Sequence, residues 1–187
     1  MPRRLVTLAA AALGLALVGG VAATAAGAAG GADRSPATAP ITVAVWNDTA
    51  RAGYERSFAR LERMDPSLDV EVVVLPREAR DDELAHGFVD GTAPDVFWLD
   101  ARSIAVHAEA GHLVDVGAAL GPRTRSAWSP ELVSRFSAGG SLWGVPQRAA
   151  DVALVGNAST ERREDVARLL AWVGSVDGQA HLDATAG

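Results

Sequence analysis

The ten residues Gly91-Thr92-Ala93-Pro94-Asp95-Val96-Phe97-Trp98-Leu99-Asp100 constrain this chain more than any other stretch. Gly91 closes a helical pattern, as glycine does when it supplies the left-handed residue after a helix. Pro94 forbids the helix from restarting. Val96 to Leu99 is then a continuous apolar run without alternation, the pattern of a strand covered on both faces by helices in a parallel sheet. Asp100 ends the run with a carboxylate just past the strand. In open α/β sheets ligands sit in the crevice beyond the carboxyl ends of the strands, so Asp100 is a candidate ligand residue. Its other reading is a cap on the helix that follows.

The rest of the chain repeats this alternation. Ile41 to Trp46 reads as the first strand, and Asn47, Asp48 or Thr49 can cap the next helix, whose apolar stripe is Tyr54, Phe58 and Leu61. Asp69 to Leu75 is the second strand, ended by Pro76, and Arg80 to Asp90 the second helix. Ser103 to Ala110 is a third helix, stopped by Gly111. Ser129-Pro130-Glu131 is a helix start, with serine at the cap and proline in the first turn. Leu142 to Val145 and Asp151 to Val155 are further strands. Ser159 or Thr160 caps a last helix with Val166, Leu169, Leu170 and Val173 on one face. Strands alternating with such helices predict an α/β fold of three layers, a parallel or mixed sheet with flanking helices.

Four segments, in order, resemble the bacterial extracellular solute-binding proteins of family 1, the maltose-binding-protein-like, sugar-binding type. They are the Pro94–Asp100 strand with its flanks, Ala110-Gly111-His112-Leu113, Gly140-Ser141-Leu142-Trp143-Gly144-Val145-Pro146, and Ser175-Val176-Asp177-Gly178-Gln179-Ala180. The resemblance implies a single lobe of a type-II periplasmic-binding fold with strand order two-one-three. It places Trp46, Asn47 and Asp48 on one side of a crevice and Asp100, Ala101, Arg102 and Ser103 on the other. In two-lobed relatives a long excursion builds a second lobe after Gly-x-Pro. Here only about ten residues separate Pro146 from the returning segment, so the second lobe is expected to be missing.

The amino terminus reads as an export signal: Arg3 and Arg4, an apolar core from Leu5 to Val18, then small-residue cleavage patterns around Ala23 to Ala28. An uncleaved membrane anchor is the alternative. The expected organisation is signal 1–28, linker 29–40, lobe 41–182 and tail 183–187. Removing Arg3 and Arg4 changes the net charge from −6 to −8. An acidic product argues against nucleic acid and against contact with anionic lipid beyond export. Cysteine is absent, which excludes disulfides, thiolate metal sites and a lipid-modified anchor cysteine.

Trp46 and Trp98 are candidates for stacking on a sugar ring, with Trp98 read as core because it lies inside the buried run. Asp48 and Asp100 can accept from sugar hydroxyls, and Arg102 or Arg77 can donate. Gln147, beside Gly-x-Pro, is a further candidate, completing the ligand set Trp46, Asn47, Asp48, Asp100, Arg102 and Gln147. No catalytic motif is present: Gly139-Gly140-Ser141-Leu142-Trp143-Gly144 misses the Gly-x-Ser-x-Gly elbow. His107, Glu109 and His112 do not fit a zinc-helix motif, and their spacing predicts histidines on different helix faces. No metal or cofactor is expected. The predicted function is non-catalytic binding of a small carbohydrate or other solute for an ABC-type uptake system, with a permease or another protein covering the crevice. The alternatives are an extracytoplasmic interaction or sensing domain, or a decayed fragment.

Overall fold

The computed structural model describes residues 39–121, 128–147 and 151–183. The expected signal segment, nearly all of the linker and the tail beyond residue 183 lie outside the described residues. The strands are β1 (Ile41–Val45), β2 (Val70–Val74), β3 (Val96–Asp100), β4 (Ser137–Ala138), β5 (Ser141–Leu142), β6 (Val145–Pro146) and β7 (Val152–Gly156). The helices are α1 (Asp48–Met64), α2 (Arg80–Asp90), α3 (Ala101–Glu109), α4 (Pro130–Arg135), α5 (Arg163–Gly174) and α6 (Val176–Asp183).

The main sheet has the order β2-β1-β3-β7-β6. β1 pairs in parallel with β2 and β3, so the two-one-three order is present. β7 runs antiparallel to β3 over five residue pairs, from Val96↔Gly156 to Asp100↔Val152. The sheet is therefore mixed. β7 is buried along its whole length, which suits its apolar sequence Val-Ala-Leu-Val-Gly.

Adjacent residues of β3 show the layers, because successive side chains point to opposite faces. Phe97 meets Phe88 of α2 edge-to-face at 6.0 Å, and His107 of α3 at 6.4 Å. Trp98 meets Tyr54 of α1 at 6.0 Å. The Trp172 indole of α5 donates to Ser57 Oγ of α1 at 3.0 Å, which puts α5 beside α1. Helices thus cover both faces. Tyr54, Phe58 and Leu61, and likewise Val166, Leu169, Leu170 and Val173, are all buried in the core.

Three local expectations are corrected. The predicted strand Leu142–Val145 is two short strands: Leu142 pairs with Ser137 in a hairpin, while Val145 pairs with Leu154 in the main sheet. Gly144 between them lies so close to β7 that a Cβ would sit 2.8 Å from Ala153 Cβ. The last helix begins at Arg163, not directly after Ser159 or Thr160; the Thr160 hydroxyl donates to Asp95 and accepts from the Arg162 N–H at 3.1 Å in a turn ahead of the helix.

The third correction concerns the two histidines, which are together. Gly111 takes φ 73°, and the His112 N–H donates to the His107 carbonyl at 3.0 Å while the Gly111 N–H donates to Ala108. This is a Schellman ending, which folds the second residue past the helix back over the last turn. A spacing of five would separate the residues on a continuing helix, but the helix stops between them. Burial, and then the charge of His112, lower the His107 pKa below its ordinary value.

Candidate functional site

The carboxyl ends of β1, β2 and β3 converge where the strand order reverses. Trp46 leaves β1 there, half-buried, and its indole meets Trp98 edge-to-face at 5.3 Å. Pro76 ends the second strand and delivers Arg77, whose guanidinium lies over the Trp46 ring at 4.4 Å. Arg80 opens α2 and lies 5.5 Å from the same ring. The Trp46 Nε1 is buried and has no hydrogen-bond partner among the described residues.

Asp100 holds the group together. Its side chain is only 3% exposed, it accepts from Arg80 Nη1 at 2.8 Å and from Arg77 Nη2, and Arg102 Nη2 lies at 3.5 Å. It is the backbone cap residue of α3, yet its side chain makes no capping bond. The carboxylate turns to the guanidiniums instead, since charge-assisted bonds are the stronger choice for a buried acid. Arg80, equally buried, also donates to Asp81 through Nε at 2.9 Å and Nη2 at 2.6 Å. Desolvation works to lower the Arg80 pKa, but its bonds and charge pairs with Asp100 and Asp81 outweigh that and raise it. The pairing keeps the buried Arg80 guanidinium ionised.

On the α1 side, the Tyr54 hydroxyl accepts from Trp98 Nε1 at 3.1 Å and donates to Gln147 Oε1. Burial pushes the Tyr54 pKa up, so the hydroxyl keeps its proton. Gln147 Nε2 donates to the carbonyls of Val145 at 2.8 Å and Pro146 at 3.2 Å. Both of its amide hydrogens are therefore used inside the fold. Gln147 positions the β6 exit, with its side chain bonded inside the fold.

The remaining candidates differ in role. Asn47 is exposed and accepts from the Ala50 N–H at 2.8 Å, so it is the α1 cap. Asp48 is 85% exposed and lies 3.7 Å from Arg51 in the first turn of α1. Arg102 is 77% exposed at the rim. The structure brings Trp46, Asp100 and Arg102 together with Arg77, and leaves Asn47 and Asp48 one turn away on the helix start. Sequence reasoning missed Arg80 and Tyr54. Arg80 carried a readable signal, because a cation in the first turn of a helix opposes the dipole and calls for a specific acidic partner. Tyr54 is the chain's only tyrosine, and a buried phenol needs a partner for its hydroxyl.

This arrangement, a two-one-three strand order with an aromatic and charged crevice at the reversal, is that of one lobe of a periplasmic-binding fold. Comparison with solved structures bears this out. The chain is similar to M. tuberculosis UspC, with 31% identity and a TM-score of 0.51 over 57% of this chain and 26% of that one. It is also similar to the Thermus thermophilus maltotriose binding protein, with 25% identity and a TM-score of 0.52 over 57% of this chain and 28% of the other. An extracellular solute-binding protein of family 1 from Alicyclobacillus acidocaldarius shares the fold at 22% identity, with a TM-score of 0.50 over 60% of this chain and 28% of that one. The resemblance to sugar-binding members of family 1 thus extends from the sequence to the structure and is consistent with a partial amino-terminal lobe. The chain spans about a quarter of the length of these structures. No protein-family model and no curated protein matches it.

Proposed function

We propose that this chain is an exported, non-catalytic solute-binding component associated with ABC-type carbohydrate uptake, built as one lobe whose second lobe is missing. The observation that carries this reading is the Trp46 indole. It stands at the carboxyl end of β1, half-buried, with a guanidinium over its face and a buried N–H that bonds to nothing among the described residues. An unpaired buried donor is costly, and a hydroxyl-rich ligand supplies acceptors. The apolar face of a pyranose packs on an indole as another ring would. Arg77 is 44% exposed and can swing aside to admit such a ring while keeping its charge near Asp100.

One lobe offers part of the contact area of a two-lobed clamp, and each 1.4 kcal/mol lost is about a tenfold loss in affinity. Binding is therefore weak. Calorimetry of the exported chain against mono- and oligosaccharides, maltose and maltotriose included, is the test. Saturable binding that falls at least about tenfold in Trp46→Ala is the expected result. A panel without binding in the wild type sinks the reading.

The rival is an extracytoplasmic domain whose crevice meets a protein. The exposed Arg77 and Arg102 beside Trp46 favour it, because arginine and tryptophan dominate the energetics of protein contacts. Pull-down with a candidate permease or sensor ectodomain, lost in Arg77→Ala and indifferent to sugars, distinguishes the two.

A further inference from the structure

On the opposite face of the sheet from Tyr54, the α3 ending presents a pair of imidazoles. His107 Nδ1 and His112 Nδ1 are 3.2 Å apart. The ring centroids are farther apart, at 5.4 Å, so the two rings converge through these nitrogens. Phe88 of α2 stacks on His112 at 3.9 Å and 12°, and lies 5.9 Å from His107, which fixes both rings from the apolar side. The pair borders a groove of about 450 Å³ lined by Phe88, Asp81, Ser103 and Val106 as well as the histidines, and Val106 is 67% exposed.

We propose that His107 and His112 form a chelating site for a divalent transition-metal cation of the Zn²⁺/Cu²⁺ class, with water in its remaining positions. Two imidazole nitrogens at about 2.0–2.1 Å from a tetrahedral ion stand about 3.3 Å apart, so the observed separation matches a ligand edge, and a turn of the rings aims both lone pairs at one ion. The Schellman ending supplies the geometry: it brings the last-turn residue and the second residue past the helix together, positions usually filled by an apolar pair. Here both are the side chain that most often ligates metals. Among the described residues no third His, Asp or Glu completes a protein-only set. Asp81 is held by Arg80, so it balances charge in the groove and does not ligate. Arg102 also lines the groove, and its cationic head leans toward Asp100, away from full opposition to a bound ion. Without metal, the 3.2 Å contact is an N–H···N hydrogen bond that needs one Nδ1–H and one Nδ1 lone pair. Ligation moves that proton to the outer nitrogen, and both rings become Nε2–H tautomers.

The tag-free full chain is titrated with ZnSO4 and with CuSO4 at pH 7.5. One saturable site is expected, tighter for Cu²⁺ in line with the general affinity order. His107→Ala and His112→Ala each weaken binding at least about tenfold, since even outer-shell changes cost that much. His86→Ala, at a histidine on α2 outside the pair, leaves it unchanged. Imidazole ¹⁵N shifts of the wild type provide a second readout that does not depend on a variant folding. Two Nε2–H tautomers on metal addition support the site. Persistence of the mixed pair at saturating metal, or equal affinity in the wild type and both alanine variants, overturns it and leaves the contact a helix-ending hydrogen bond.

Discussion

At the start of β3, Asp95 accepts from the Thr42 N–H at 2.9 Å, from the Thr42 hydroxyl at 3.0 Å and from the Thr160 hydroxyl, while its own N–H donates back to Thr42. At the end of the same strand, five residue steps on, Asp100 faces three guanidiniums, two of them held within hydrogen-bonding reach. The first carboxylate is closed by uncharged groups from two neighbouring segments. The second sits in a surplus of positive charge: Arg77, Arg80 and Arg102 against Asp100 and Asp81. One end of the strand ties β1, β3 and the approach to α5 into a closed set of bonds. The other end is left with exposed donors and an indole N–H without a partner among the described residues. The difference separates a joint that serves the fold from a place where the chain has donors beyond its own needs.

The contrast is broken most directly at Asp100. Asp100→Ala removes the acceptor of a buried Arg80 and should cost about 3–5 kcal/mol by urea unfolding, as loss of one partner of a buried ion pair does. Asp95→Ala deletes three bonds accepted from uncharged donors and should cost about 2–4 kcal/mol in the same assay. A larger loss for Asp95 than for Asp100 would mean that the charged cluster contributes less to the fold than its burial implies. Tyr54→Phe leaves the Trp98 N–H and the Gln147 oxygen without their shared hydroxyl and should cost about 1–3 kcal/mol. Trp46→Phe deletes an N–H that bonds to nothing among the described residues and keeps an aromatic ring, so stability should change by less than about 1 kcal/mol. If Trp46→Phe proves as costly as Tyr54→Phe, the Trp46 N–H has an acceptor and the crevice is more closed than described.

Much of the fold was legible because it is written in local signals. Gly91 with φ 72°, the Ser129 cap accepting from Leu132, and the apolar stripes of α1 and α5 each depend on residues within a few positions. The strand order followed from the resemblance alone. The site was less legible, since its bonds span long separations. Arg77 and Arg80 reach Asp100 from 23 and 20 residues away, and Tyr54 meets Gln147 across 93. Spacing rules describe positions on one element and say nothing of two loops converging at a strand end. The histidine pair failed for a related reason: helical periodicity was carried past Gly111, where the helix had already stopped.

The two edges of the main sheet have a consequence for self-association. One edge, β6, is two residues long and ends in Pro146, which has no N–H to offer, so it terminates any attempt to extend the sheet on that side. The other, β2, is the five-residue run Val-Glu-Val-Val-Val. A valine-rich edge is a template for amyloid-like stacking and domain swapping, and natural proteins blunt such edges with charge. Here Glu71 breaks the run, and Glu62 of α1 occupies the Val70 N–H at 2.9 Å. These two carboxylates are the gatekeepers against edge-to-edge aggregation, and protonating or neutralising them opens the β2 edge first.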